Sequence, residues 1–157
     1  MIGALCLGSA GLVRAFVNEA ISFALEAATP YVEQGFEVRE DSWSGEVEPG
    51  LPLLVKHQLF RGNEYWFWAG TSWPGATVRV DAFDQMGEPV GLESFSEGGR
   101  AGVRVLPDRT GVYFIRVIAD YDESSDEAKA AAEEPGLDPS LLEKPESLDW
   151  GLTYGYR

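Results

Sequence analysis

Glu64-Tyr65-Trp66-Phe67-Trp68-Ala69 is the stretch on which the fold turns. Side chains alternate across a strand, so Tyr65 and Phe67 fall on one face and Trp66 and Trp68 on the other. Large rings on both sides predict a central strand that is covered from above and below.

Outward from this strand the period of two recurs. Upstream, residues 36–41 predict a first strand, followed by Trp43 and a turn at Ser44-Gly45. Glu48-Pro49-Gly50 reads as a second turn, and residues 53–60 as a strand closed by Arg61-Gly62-Asn63. Downstream of a turn at Trp73-Pro74-Gly75, residues 77–83 set Val78, Val80 and Ala82 against Thr77, Arg79, Asp81 and Phe83. Asp84-Gln85-Met86-Gly87 reads as a hairpin-type loop and 93–96 as a short strand that stops at Gly98-Gly99. Residues 101–106 and 112–119 follow as strands, the latter the strongest in the chain. At the far end, 150–156 puts Trp150, Leu152, Tyr154 and Tyr156 on one face and Gly151, Thr153 and Gly155 on the other, which ties that end into a sheet. Eighteen glycines and nine prolines in 157 residues supply the turns such a chain needs. The expected fold is mainly β: a jelly-roll-like antiparallel β-sandwich over residues 35–157.

Two segments depart from the strand pattern. Over residues 12–28 the apolar side chains recur at helical spacing, with Phe16, Val17, Ile21 and Leu25 on one stripe, which predicts an amphipathic helix within 16–34. Thr29-Pro30 is expected to end it, because a residue before proline avoids helical geometry. Such a stripe has to be buried against its own sandwich, a second copy or a partner, so these four residues are the candidate partner-binding surface. Residues 120–149 form an acidic insertion before the last strand. Its eleven carboxylates against Lys129 and Lys144 account for −9 of the net charge of −14. Within it, Ser125 opens a short helix over 126–134, and Asp138-Pro139 opens another over 140–144.

Composition narrows the function. At 45% hydrophobic, with nineteen aromatic residues, the chain is too apolar to be intrinsically disordered. Its negative charge opposes nucleic-acid backbones and anionic membranes. Residues 1–15 read as a candidate signal-peptide remnant, with Val13 and Ala15 spaced like a cleavage site; they also read as the first turns of the helix. The signal reading places the protein in the periplasm or outside the cell. Cys6 is the only cysteine, so no disulfide can form within the chain.

The order of these pieces resembles the bacterial pre-peptidase C-terminal domain, a small jelly-roll-like sandwich of secreted hydrolases and surface proteins. Ser44-Gly45-Glu46-Val47-Glu48-Pro49-Gly50 is similar to its opening turn and strand, and Phe60-Arg61-Gly62-Asn63-Glu64-Tyr65-Trp66-Phe67 to its central hairpin. Residues 78–87 (VRVDAFDQMG) resemble the strand and Asp-containing turn that follow. Thr110-Gly111-Val112-Tyr113-Phe114-Ile115-Arg116-Val117 resembles its most recognisable strand, with 150–156 closing the sheet. The N-terminal helix and the acidic insertion depart from that pattern. Family members act mostly as accessory domains, so the resemblance implies a non-catalytic role.

Catalytic and metal chemistry is sparse. His57 is the only histidine, and it sits mid-strand, where it reads as a half-buried strand residue bonded to a neighbour rather than a catalytic base. One histidine and one cysteine make a zinc site implausible. Asp120 and Asp122 alternate as calcium ligands often do, although the segment lacks the glycine and the distant glutamate of an EF-hand loop; Asp81 and Asp84 are a weaker pair. Trp73, in a loop, is the candidate for stacking against a sugar. The chain is therefore read as a non-catalytic, extracytoplasmic binding or assembly module without a cofactor, whose partner is a protein or a second copy. A carbohydrate-binding module is the alternative, and a hydrolase built on His57 or on converging carboxylates is third.

Overall fold

The structure, a computed structural model, describes residues 10–157, with side chains from Glu19 onward except at positions 141 and 142. Of the candidate signal segment, residues 1–9 lie outside the described residues. The order is α1 (Ala10–Val32), β1 (Glu37–Val47), β2 (Leu53–Leu59), β3 (Tyr65–Gly70), β4 (Thr77–Phe83), β5 (Gly91–Glu97), β6 (Arg100–Val105), β7 (Gly111–Asp120), α2 (Asp126–Ala132), a 3₁₀ turn (Pro139–Leu142) and β8 (Leu148–Tyr156). The strands form two antiparallel sheets, β1-β8-β3-β6-β5 and β2-β7-β4. The chain is a β-sandwich.

β3 sits between β8 and β6, as its rings require. Tyr65, Phe67 and Ala69 enter the core between the sheets, together with Leu59, Ile115, Val117 and Leu152. Trp66 and Trp68 face the other way and pack with Ala27, Ala28 and Phe36. Burying each such side chain stabilises the fold by about 2 kcal/mol before chain entropy is subtracted.

Strand order 1-8-3-6 opposite 2-7-4 is that of an eight-stranded jelly roll, with one change. β5 pairs with β6 in the large sheet instead of lying beside β4. The Gly98-Gly99 turn, with both residues at positive φ, folds β5 directly back on β6. The loop after β4, expected as a hairpin, therefore carries the chain from one sheet to the other. What remains of a β4–β5 link is a single bridge between Phe83 and Pro89 and the hydrogen bond from Ser96 Oγ to Val78 O, 2.6 Å.

β1 runs straight through Ser44-Gly45, where a turn was expected. Gly45 pairs with Trp150, whose indole lies against the glycine and would sit 3.3 Å from a Cβ there. α1 likewise continues past Thr29-Pro30 to Val32. Pro30 forfeits one helical hydrogen bond, but only in the last turn, where the remaining groups are satisfied in other ways. Thr29 Oγ1 donates to Leu25 O at 3.1 Å. The end is a Schellman closure: Phe36 N–H donates to Tyr31 O, Gly35 N–H donates to Val32 O, and Gly35 has φ +93°. Tyr31 is held there by Phe36, Trp66, Trp68 and Phe95, ring contacts that outweigh the preference of a residue before proline.

α1 lies on the outer face of the five-stranded sheet, its alanines down. Ala20 and Ala24 are fully buried against Gly70 and Gly151, which are register partners on β3 and β8. In the acidic insertion the expected caps are present. Ser125 Oγ accepts from Ala128 N at the start of α2, and Asp138 Oδ1 accepts from Ser140 N at the 3₁₀ turn. Among the described residues no helix is long and apolar enough to cross a membrane.

Candidate functional site

Three of the surface concavities bear on function, and the first two hold candidate residues named above. His57 lies in the first, a notch of about 350 Å³ at the open edge between β1 and β2, which it shares with Arg39, Asn63, Tyr65, Tyr154 and Tyr156. Its neighbours are rings rather than the expected hydrogen-bond partner: Tyr154 at 4.4 Å, Trp43 at 5.4 Å and Phe67 at 6.1 Å between centroids. No serine, threonine or cysteine lines the notch among the described residues. The polar groups of the notch are instead structural. Tyr65 Oη accepts from Phe60 N at 3.0 Å and from Asn63 Nδ2 at 3.2 Å, and Arg39 lies over the Tyr156 ring.

Burial lowers the His57 pKa below that of a free imidazole, and Asp41 opposes the shift only in part. The unfolded chain therefore binds its proton first as the pH falls through about 6.5. Stability from the neutral ring is present above that point and is lost on acidification until the folded-state pKa is passed. We expect the single imidazole resonance to titrate below about 6.5, and the loss of stability over that window to vanish in His57→Phe. A midpoint at or above the free value would place the ring in water.

The second concavity contains Trp73. Asp149, buried at the start of β8, accepts from Thr71 Oγ1 (3.0 Å), from Ser72 N and from Ser72 Oγ, and so fixes the chain leading into Trp73-Pro74-Gly75. Gly75, at φ +77°, lies directly beneath Ala128 of α2; a Cβ there would come within 2.7 Å of the Ala128 backbone. The helix thereby stands over the loop and encloses a cleft of about 450 Å³. Trp73 is half-buried against the main core, and its Nε1 has no acceptor among the described residues. The rings of Tyr65, Trp66, Phe67 and Trp68 are buried, so no row of exposed rings accompanies Trp73 for a sugar to stack on.

The third concavity was not anticipated. On the outer face of the three-stranded sheet, Leu54, Phe83, Met86, Phe114 and Arg116 border a hollow of about 560 Å³. Leu54 is 62% exposed and Met86 85%. The signal was legible in β7, whose two faces are both apolar: Tyr113, Ile115 and Val117 face the core, while Val112, Phe114 and Ile118 face outward. That pattern was read as strand strength alone, although among the described residues no helix or second sheet covers the outward set.

The remaining candidates separate. Asp120 Oδ1 accepts from the Tyr121 amide, and Asp122 Oδ1 is engaged by Ser124 N and Oγ at 2.9 and 2.7 Å, bonds that lower its pKa. Asp81 pairs with Arg116 at 2.8 Å, and Asp84 holds the amides of Met86 and Glu88. Among the described residues no three carboxylate, histidine or cysteine groups converge on a metal position. On α1, Ile21 is half-buried over Gly151 and Leu25 is 45% exposed; the side chains of Phe16 and Val17 lie outside the described ones. No family model matches the chain, and no curated protein matches it.

Proposed function

We propose that this chain is a non-catalytic, extracytoplasmic binding module, akin to pre-peptidase C-terminal domains, and that a protein partner docks on the outer face of its three-stranded sheet. The observation that carries the reading is an asymmetry of cover. The outer face of the five-stranded sheet is roofed by α1, whereas the opposite outer face leaves Leu54, Phe83, Met86 and Phe114 around an open hollow. An apolar sheet face of this kind, rimmed by polar groups, suits association with another protein.

Charge sets the chemistry of that partner. Lys56, Arg79 and Arg116 on these strands outnumber Asp81 and Asp120, in a chain whose net charge is −14. Arg116 and Arg79 both pair with Asp81, and Arg116 also lies over the Phe83 ring at 4.8 Å; among the described residues Lys56, over the Phe114 ring, is the cation left at the edge of the hollow. The partner segment is therefore apolar with an acidic rim.

A photo-crosslinking residue placed at Leu54 in the producing cells tests this, with Leu92, 57% exposed on β5 of the other sheet, as the control position. A discrete adduct is expected from position 54, lost in Met86→Glu and absent at position 92, with an apolar and acidic segment identified at the crosslink. Equal adducts at both positions, or none at 54, would overturn the reading.

A further inference from the structure

We infer that the cleft beneath α2 is a second binding site, independent of the sheet face, and that it takes the cationic side chains of an extended basic peptide. The floor is Trp73-Pro74-Gly75, one wall is Phe23 of α1 with the Gly98-Gly99 turn, and the facing wall is α2 with the turn after it. That wall presents Glu127, Ala130, Ala131 and Glu134. Glu127, Ala130 and Ala131 stand at i, i+3 and i+4 on one side of α2, and Glu134 follows in the turn just past its end, so that a carboxylate lies at each end with small residues between. The alanines leave the space a ligand needs, and the carboxylates set its charge.

Both carboxylates are uncommitted. Among the described residues neither Glu127 nor Glu134 is paired with a cation, and Lys129, the nearest in sequence, turns to Asp126. The molecule already shows the recognition chemistry at the rim of the cleft: the Arg100 guanidinium lies 4.3 Å from the Phe23 ring centroid and pairs with Glu26. A guanidinium from outside would find the same combination of ring and carboxylate at Trp73 and Glu127.

Spacing selects the peptide. From Glu127 the chain runs to the end of α2 at Ala132 and through a closing turn in which Glu134 N–H donates to Ala131 O, a rise of about 11 Å in all. An extended chain of the polyproline type returns to the same side every three residues, after about 9 Å. Two cations three residues apart would therefore meet the two carboxylates at once, with the residues between them lying on Ala130 and Ala131. The floor is preorganised, because Asp149 fixes Thr71 and Ser72 while Gly75 seats Ala128.

The probe is a capped Arg-Ala-Pro-Arg peptide titrated into the isotopically labelled full chain at low salt, with capped Glu-Ala-Pro-Glu and chitohexaose alongside. Binding is expected to shift the Trp73 indole and the Ala130 and Ala131 amides and to leave Leu54 and Phe114 unmoved. Combining Glu127→Gln with Glu134→Gln, which keeps the fold because both side chains lie on the surface, should weaken binding about tenfold. Shifts scattered over other carboxylates, affinity unchanged in the double variant, or no binding would overturn the inference. Chitohexaose moving the Trp73 indole in place of the basic peptide would overturn it too and would make the cleft a sugar site. A failed crosslink at Leu54 would bear on the sheet face alone.

Discussion

Alanine at position 70 is expected to lift α1 from the five-stranded sheet and to cost about 3 kcal/mol of stability. The added Cβ would lie 2.6 Å from Ala24 N and closer still to Ala20 O, and both are helix backbone, which no rotamer change can move aside. Nor can the helix slide toward β8. There Gly151, the register partner of Gly70, already meets Ile21 N, where a Cβ would lie at 2.7 Å. Raising the helix would uncover Trp66 and Trp68 as well as its own buried alanines. Chemical denaturation, together with amide exchange in α1, measures the effect. Gly62→Ala serves as the control: Gly62 has φ +97° and open space around it, so only backbone strain of about 1 kcal/mol is expected. If Gly70→Ala left stability and exchange in α1 unchanged, the helix would not rest on this glycine pair.

Trp68→Ala is expected to be the most damaging single truncation, at about 4 kcal/mol. Trp68 is fully buried between the sheet and α1, 5.5 Å from the Tyr31 ring and stacked with Trp66 at 6.4 Å. Its removal leaves a cavity that α1, pinned by the glycines, cannot close. Trp68→Phe should be far milder. The indole Nε1 is buried with no acceptor among the described residues, so its loss relieves a desolvated donor and offsets part of the lost ring area. Unfolding midpoints of the two variants separate packing from hydrogen bonding; equal, small effects would mean that the ring is not enclosed.

Much of the candidate site depends on the same distinction between local and distant contacts. His57 was legible as a half-buried strand residue, because a mid-strand imidazole in alternation with Val55 and Leu59 faces the core side. What surrounds it was not, since Trp43, Phe67 and Tyr154 arrive from β1, β3 and β8. Trp73 was legible as a loop residue. The cleft beside it exists because α2, more than fifty residues later in the chain, rests on Gly75 through Ala128. Asp149 gave no signal distinguishing it from the other acids of the insertion. Its burial follows from β8 starting next to Thr71 and Ser72.

By itself the sequence determined those features of strand and cap that act over a few residues and that no distant contact overrode. Alternation placed β4 at Thr77–Phe83, and the double-sided rings made β3 central. Side-chain caps at Ser125 and Asp138 opened the two short helices, since a capping hydroxyl or carboxylate bonds an amide two or three residues away. Tertiary structure decided what depends on residues far apart in the chain. Phe36, Trp66, Trp68 and Phe95 around Tyr31 carried α1 past Pro30, and Trp150 kept Gly45 in a strand. The glycine turn drew β5 onto β6, and the paired Gly70 and Gly151 made a flat seat for α1 on one sheet, while no described helix covers the other sheet's outer face. Periodicity reports which side chains share a face; which face is then covered depends on the close approach of whole elements, and here that approach is set by two glycines eighty-one positions apart.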